Sequence, residues 1–179
     1  FWADEYRLNE KIANYKKPFV AFMQGFTMGG GVGVSCHGSH RVVGETSKIA
    51  MPECSIGLVP DVGGSFLLAK LPGNIGTFLG VTGKRMKASD AIYCGFADYF
   101  IPETKWEDLK EKLVETGNID WIKKFHRSTE ASEIENSFSQ ISEAMVDVST
   151  NNIESRLQHP YFEKDLSALR FNSPISVAY

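Results

Sequence analysis

The segment that most constrains the fold is an apolar run that ends in glycines. Phe19-Val20-Ala21-Phe22-Met23 carries no charge and predicts a buried strand. It leads to Gly29-Gly30-Gly31, and Val32-Gly33-Val34-Ser35-Cys36 beyond them predicts a short buried helix. Strand, glycine turn and helix in that order form one unit of an α/β fold. The pattern then continues. Arg41-Val42-Val43 and Lys48-Ile49-Ala50-Met51 predict short strands. Phe66 to Leu71 and Ile75 to Leu79 predict helical turns split by Pro72-Gly73. Ser89 is placed to cap a helix that runs through Tyr93 and stops at Gly95, and Asp98 to Ile101 predicts a strand closed by Pro102. Such alternation implies a parallel sheet with crossover helices.

The flanks are helical. Phe1, Leu8, Ile12 and Tyr15 recur at three- and four-residue spacings and predict an amphipathic helix ending before Pro18. After Pro102 the character changes. Glu103 to Glu115 predicts a charged helix with Trp106, Leu109 and Leu113 on one face. Ile134, Phe138, Ile141, Met145 and Val148 keep a helical period, and more helix is expected between Ile153 and Leu169. Ser173-Pro174 reads as the cap and first residue of another helix. The expected division is a sheet-containing core over 1–102 and a helical region over 103–179. Both are expected to be incomplete at their outer ends, as an internal piece of a longer protein would be.

Composition narrows the function classes. A length of 179 residues, 42% hydrophobic and 23% charged, suits one globular unit with a sizeable core. A net charge of −3 gives no basic field for nucleic acid, and no apolar run approaches the roughly 20 residues of a membrane span. Three widely spaced cysteines, Cys36, Cys54 and Cys94, argue against a disulfide framework and for a reducing compartment. That compartment is the cytoplasm in a bacterium or the mitochondrion in a eukaryote; no targeting segment is visible. A homo-oligomer is compatible with the sequence, which does not specify one.

Ten of the 16 glycines fall between Gly25 and Gly64, together with Glu53 and Asp61, each directly after a proline. A strand, a glycine run and a helix start can bind an anion through unpaired N–H groups. The spacing fits neither a dinucleotide fingerprint nor a phosphate-binding loop, which leaves an N–H aimed at a developing oxyanion. Close helix packing explains the run equally well. Met51-Pro52-Glu53 puts Glu53 at the carboxyl end of a strand, where open α/β sheets hold their chemistry. Asp61 follows an apolar loop, where burial would disfavour its charge. It also precedes Val62-Gly63-Gly64 and a helix start, so a helix cap is the simpler reading of Asp61 alone. Cys36, His37, His40 and Cys54 lack the paired spacing of a zinc site. His126 and His159 read as surface or satisfied core residues, and Lys84-Arg85-Met86-Lys87 as a solvated basic turn.

Gly29-Gly30-Gly31-Val32-Gly33, Met51-Pro52-Glu53 and Pro60-Asp61-Val62-Gly63-Gly64 together resemble the crotonase (enoyl-CoA hydratase/isomerase) superfamily, most of all its 3-hydroxyisobutyryl-CoA hydrolase branch. The resemblance is strong from Glu5 through Ile101 and weaker to Ser173-Pro174. It implies a spiral of ββα units and an acyl-CoA thioester substrate, with coenzyme A as part of the substrate and no separate cofactor or metal. Gly30 matches the residue whose N–H binds the thioester oxygen, Glu53 the catalytic glutamate, Asp61 an acid near the substrate hydroxyl, and Glu5 a further substrate-contacting glutamate. Hydratases of the superfamily commonly carry a second catalytic glutamate two residues after the glycine triplet, where this chain has Gly33. The resemblance therefore implies hydrolysis of a short 3-hydroxyacyl-CoA, as in valine breakdown. A hydratase or isomerase of the same superfamily and a non-catalytic acyl-CoA-binding module are the alternatives. The second oxyanion N–H and much of the CoA loop are implied upstream of Phe1.

Overall fold

The computed structural model describes residues 1–178. The first helix, α1 (Trp2–Ala13), ends before Pro18 as its spacing predicts, and β1 (Val20–Met23) follows. A second strand that the sequence hid then appears, β2 (Phe26–Met28), inside what reads as a glycine loop. It precedes α2 (Gly30–Ser35). The pattern repeats with β3 (His40–Val43), β4 (Lys48–Ala50) and α3 (Gly64–Ala69), and a third turn opens with β5 (Tyr99–Phe100) after α4 (Ile75–Thr82) and α5 (Ala88–Tyr93).

The pairing explains the spiral. β1, β3 and β5 form one parallel sheet in that order, with Val20 opposite His40 and Val42 opposite Tyr99. β2 and β4 form a second parallel pair, with Phe26 opposite Lys48 and Met28 opposite Ala50. Each of the first two turns of ββα thus adds one strand to each of two sheets, and β5 extends the first. The arrangement is α/β with parallel strands and helical crossovers, as expected. Two local expectations need correction. In β1 only Met23 is fully buried, because the strand lies at the edge of its sheet. Ser89 lies inside α5 rather than capping it, and the cap position is Lys87, which makes no side-chain cap.

Beyond Pro102 the chain is helical: α6 (Trp106–Thr116), α7 (Asp120–Phe125), α8 (Glu133–Asn136), α9 (Phe138–Ala144), α10 (Ile153–Arg156), α11 (Glu163–Leu169) and α12 (Pro174–Ala178). The period from Ile134 to Met145 is carried by two helices joined at Ser137, not by one. Ser173 caps α12, accepting a hydrogen bond from the Ser176 N–H at 3.3 Å. One apolar cluster draws on both sides of Pro102. Ile75 and Phe78 of α4 belong to it with Ile141, Leu157 and Phe162, and the Phe78 and Phe162 rings meet edge-on at 5.6 Å. A second cluster joins Val42 and Ile101 to Trp106, Leu109 and Ile122. The basic turn is partly structural. Lys84 forks onto Asp165 of α11 at 2.9 and 3.1 Å, Lys87 pairs with Glu133, and Met86 is buried against Ile49.

Candidate active site

The glycine turn at the head of α2 is the floor of the site. Gly29 adopts φ 52° and ψ −118°, a conformation that only glycine enters without strain, and a Cβ there would stand 3.0 Å from Glu53 Oε1. Gly30 begins α2, and a Cβ on it would stand 2.6 Å from Glu5 Oε1. Gly33, one turn further, faces the Val62 Cβ at 2.7 Å and both amide atoms of Asn9 at 2.9 Å by the same measure. Glu5 and Asn9 are four residues apart, so they share one face of α1. That face lies directly on the glycine face of α2.

Glu53 leaves β4 at the start of a 3-10 turn, Glu53–Ile56, and is only 4% exposed. Its Oε2 has no hydrogen-bond partner among the described residues. Burial pushes its pKa up to about 7. The Glu53 backbone N–H opposes this in part, and the negative charge of Asp61 adds to it. A carboxyl poised there exchanges protons near neutral pH.

Asp61 does not cap a helix. The cap position of α3 is Gly63, at φ 77°, without a side-chain bond. Asp61 instead accepts a hydrogen bond from the Tyr6 hydroxyl at 2.8 Å, which reaches over from α1. Donating to that carboxylate raises the pKa of Tyr6. The loop that carries Asp61 is pinned by its neighbours. His37 Nε2 donates to the Val62 carbonyl at 2.7 Å, which fixes the tautomer of the ring. Val62 itself sits at φ 46°, costly for a β-branched residue, and it is held there by burial and by the His37 bond.

The four residues singled out from the sequence therefore fall in one place. Glu5 lies over Gly30, Glu53 abuts Gly29, and Asp61 acts electrostatically on Glu53. Tyr6 and Asn9 escaped notice. The available signal was the four-residue step from Glu5 to Asn9, which puts a polar residue on the stripe that buries Ile12. The histidines and Cys36 have other work. His40 bonds Ser39, His126 accepts from the Phe100 N–H, and His159 caps a turn at Tyr161. Cys36 is buried against the Met23 sulfur. A cavity of about 550 Å³ lies beside Asp61, lined by Tyr6, Asn9, His37, Asp61, Val62 and Phe66 among others. A larger cavity of about 780 Å³ lies behind α3 and α4, touching Cys54, Leu68, Gly80 and Ile153, and meets none of the four residues. Of the four, only Asp61 lines the smaller one.

The enoyl-CoA hydratase/isomerase family matches residues 1–179. The chain belongs to the crotonase superfamily. Within it, the chain is most like 3-hydroxyisobutyryl-CoA hydrolases. It is 50% identical over 114 residues to the mitochondrial 3-hydroxyisobutyryl-CoA hydrolase of Xenopus tropicalis, covering 64% of this chain and 30% of that protein. It is 36% identical over 191 aligned positions to the Gallus gallus counterpart, covering 99% of this chain and 50% of the relative. Among solved crotonase structures, a carnitinyl-CoA dehydratase from Mycobacterium thermoresistibile superposes with a TM-score of 0.94 at 37% identity, over 99% of this chain and 53% of that one. An enoyl-CoA hydratase from Rhodobacter sphaeroides gives 0.91 at 47% identity, over 99% and 52%. Matched over nearly its whole length, the chain thus spans half of the curated Gallus gallus relative.

Proposed function

We propose that this crotonase chain carries the reacting half of an acyl-CoA thioester hydrolase that takes a short 3-hydroxyacyl group, 3-hydroxyisobutyryl-CoA in the first instance. The observation that carries the reading is the packing at Gly33. Val62 and Asn9 fill the space in which a second catalytic glutamate would stand, and Glu53 is left as the buried carboxyl of the site. Adding water across a double bond needs one group to activate water at one carbon and another to deliver a proton at the next. Opening a thioester needs one activated nucleophile and a place for the oxyanion.

In this mechanism the thioester oxygen rests against the Gly30 N–H. That N–H is free of backbone acceptors among the described residues because it opens α2. The helix has six residues, so the contribution is one directed N–H more than a long dipole. By one route ionised Glu53 takes a proton from water as the hydroxyl oxygen bonds to the carbonyl carbon. The oxyanion collapses, the C–S bond breaks, and the CoA thiolate recovers the proton from Glu53. By the other, a Glu53 oxygen attacks, CoA thiolate leaves, and water opens the mixed anhydride. Asp61, held by Tyr6, orients the hydroxyl of the acyl group. The products are a 3-hydroxy acid and free CoA, and no separate cofactor or metal takes part. Single turnover in oxygen-18 water separates the routes, since label in Glu53 requires the anhydride.

The test is release of CoA from 3-hydroxyisobutyryl-CoA beside hydration of crotonyl-CoA. Glu53→Gln is expected to abolish CoA release; near-normal release would sink the reading. The names of the two solved relatives favour a second reading, a hydratase or dehydratase. Hydration of crotonyl-CoA without thioester cleavage would establish it. Binding of acyl-CoA with neither reaction would leave a non-catalytic module.

A further inference from the structure

Among the described residues, Asn9 has two buried side-chain polar atoms without a hydrogen-bond partner, Oδ1 and Nδ2, and it is 5% exposed. Leaving an amide buried and unpaired is costly, and such groups are rare in folded proteins. Asn9 is also not in an indifferent place. It lines the 550 Å³ cavity with Tyr6 and Asp61, and it stands against Gly33, in the space that a side chain at that position would enter.

Resting on the hydrolase reading above, we propose that Asn9 is a specificity-determining residue that hydrogen-bonds the 3-hydroxyl of the acyl group, together with Asp61. The chemistry is complementary. A hydroxyl is one donor and two acceptor sites, and it needs partners of both kinds when water is excluded. Asn9 Nδ2 supplies a donor. The Asp61 carboxylate supplies the acceptor, and its second role as acceptor for Tyr6 fixes where it points. An acyl group without the hydroxyl would leave the buried Asn9 amide unpaired, while Asp61 keeps its bond from Tyr6. That is the arrangement by which a pocket rejects the deoxy analogue more strongly than it could by shape alone. Ala13, Pro60, Val62 and Phe66 give the cavity wall apolar surface for the carbon skeleton, beside the polar Glu10, His37 and Ser65.

The experiment compares kcat/KM for hydrolysis of 3-hydroxyisobutyryl-CoA and of isobutyryl-CoA, which has the same skeleton without the hydroxyl. Wild type is expected to prefer the hydroxylated thioester. Asn9→Leu, close in volume and unable to hydrogen-bond, is expected to lower that preference by roughly tenfold or more. Asn9→Ala, read by the same ratio, covers a Leu variant that does not fold. An unchanged ratio overturns the proposal. So does an equal loss on both substrates, which would mark Asn9 as a structural residue, and so does a wild type with no preference. A wild type that cleaves neither thioester but hydrates crotonyl-CoA refutes the hydrolase reading itself, and the proposal falls with it.

Discussion

At the scale of the residue, Glu53 ties function to stability with opposite signs. Either route needs it ionised, so kcat/KM is expected to rise with pH and level off above an apparent pKa of about 7. A profile flat from pH 5.5 to 8 would contradict this. Stability runs the other way. Its folded pKa is raised above the ordinary 4.5, so between those values the folded chain holds a proton that the unfolded chain has lost. Stability from this group is full below about 4.5 and declines as pH climbs to about 7, by up to about 3 kcal/mol at 1.36 kcal/mol per pH decade. Glu53→Gln removes the titration. It is expected to raise the melting temperature at pH 8 and to leave it nearly unchanged at pH 4.5. Much of this residue was legible: a proline, an acid and a strand end announced it. Asp61 was legible as an acid near the site, but its local sequence pointed to a helix cap. Only the fold brings Tyr6, 55 positions away, onto its carboxylate.

At the scale of the element, the sequence revealed the strands that alternate cleanly with helices and hid the one that does not. β2 is three residues long, begins with a largely exposed Phe26, and lies between glycines, so no run of buried residues betrays it. Its identity comes from pairing with β4, a partner some twenty residues on. Long-range pairing of this kind is invisible to local periodicity. The junction of β3 and β5 rests on a different long-range tie. Asp98 accepts from Arg41 Nη2 at 2.6 Å, from Nε at 2.9 Å and from the Arg41 backbone N–H at 2.9 Å. The same guanidinium reaches the Gly95 and Cys36 carbonyls. Asp98→Ala leaves that half-buried cation without its anion. It is expected to cost about 2 to 3 kcal/mol, less than a fully buried pair because solvent reaches the rim. Urea unfolding measures it, and a loss below about 0.5 kcal/mol would show the pair to be incidental.

At the scale of the whole molecule, the change of character at Pro102 is real in the chain but does not divide the core. α4 packs against both α9 and α11, and the fully buried Phe78 meets Phe162 edge-on. Residues 1–102 made alone are expected to lack fixed tertiary packing, with weak near-ultraviolet dichroism and strong binding of an apolar dye. Sharp dispersed amide spectra from that piece would refute this. Composition could not foresee the shared core, because it averages over segments that meet only after folding. The three cysteines show a last consequence of that core. All are free and buried, and burial pushes Cys36 up to about 11 and Cys94 up to about 12. At neutral pH they are thiols shielded from modification. A chromogenic disulfide added to the folded protein and its substrate would therefore report coenzyme A with little protein background. Added without substrate, it becomes a clock: the slow appearance of colour would time how often the interior opens.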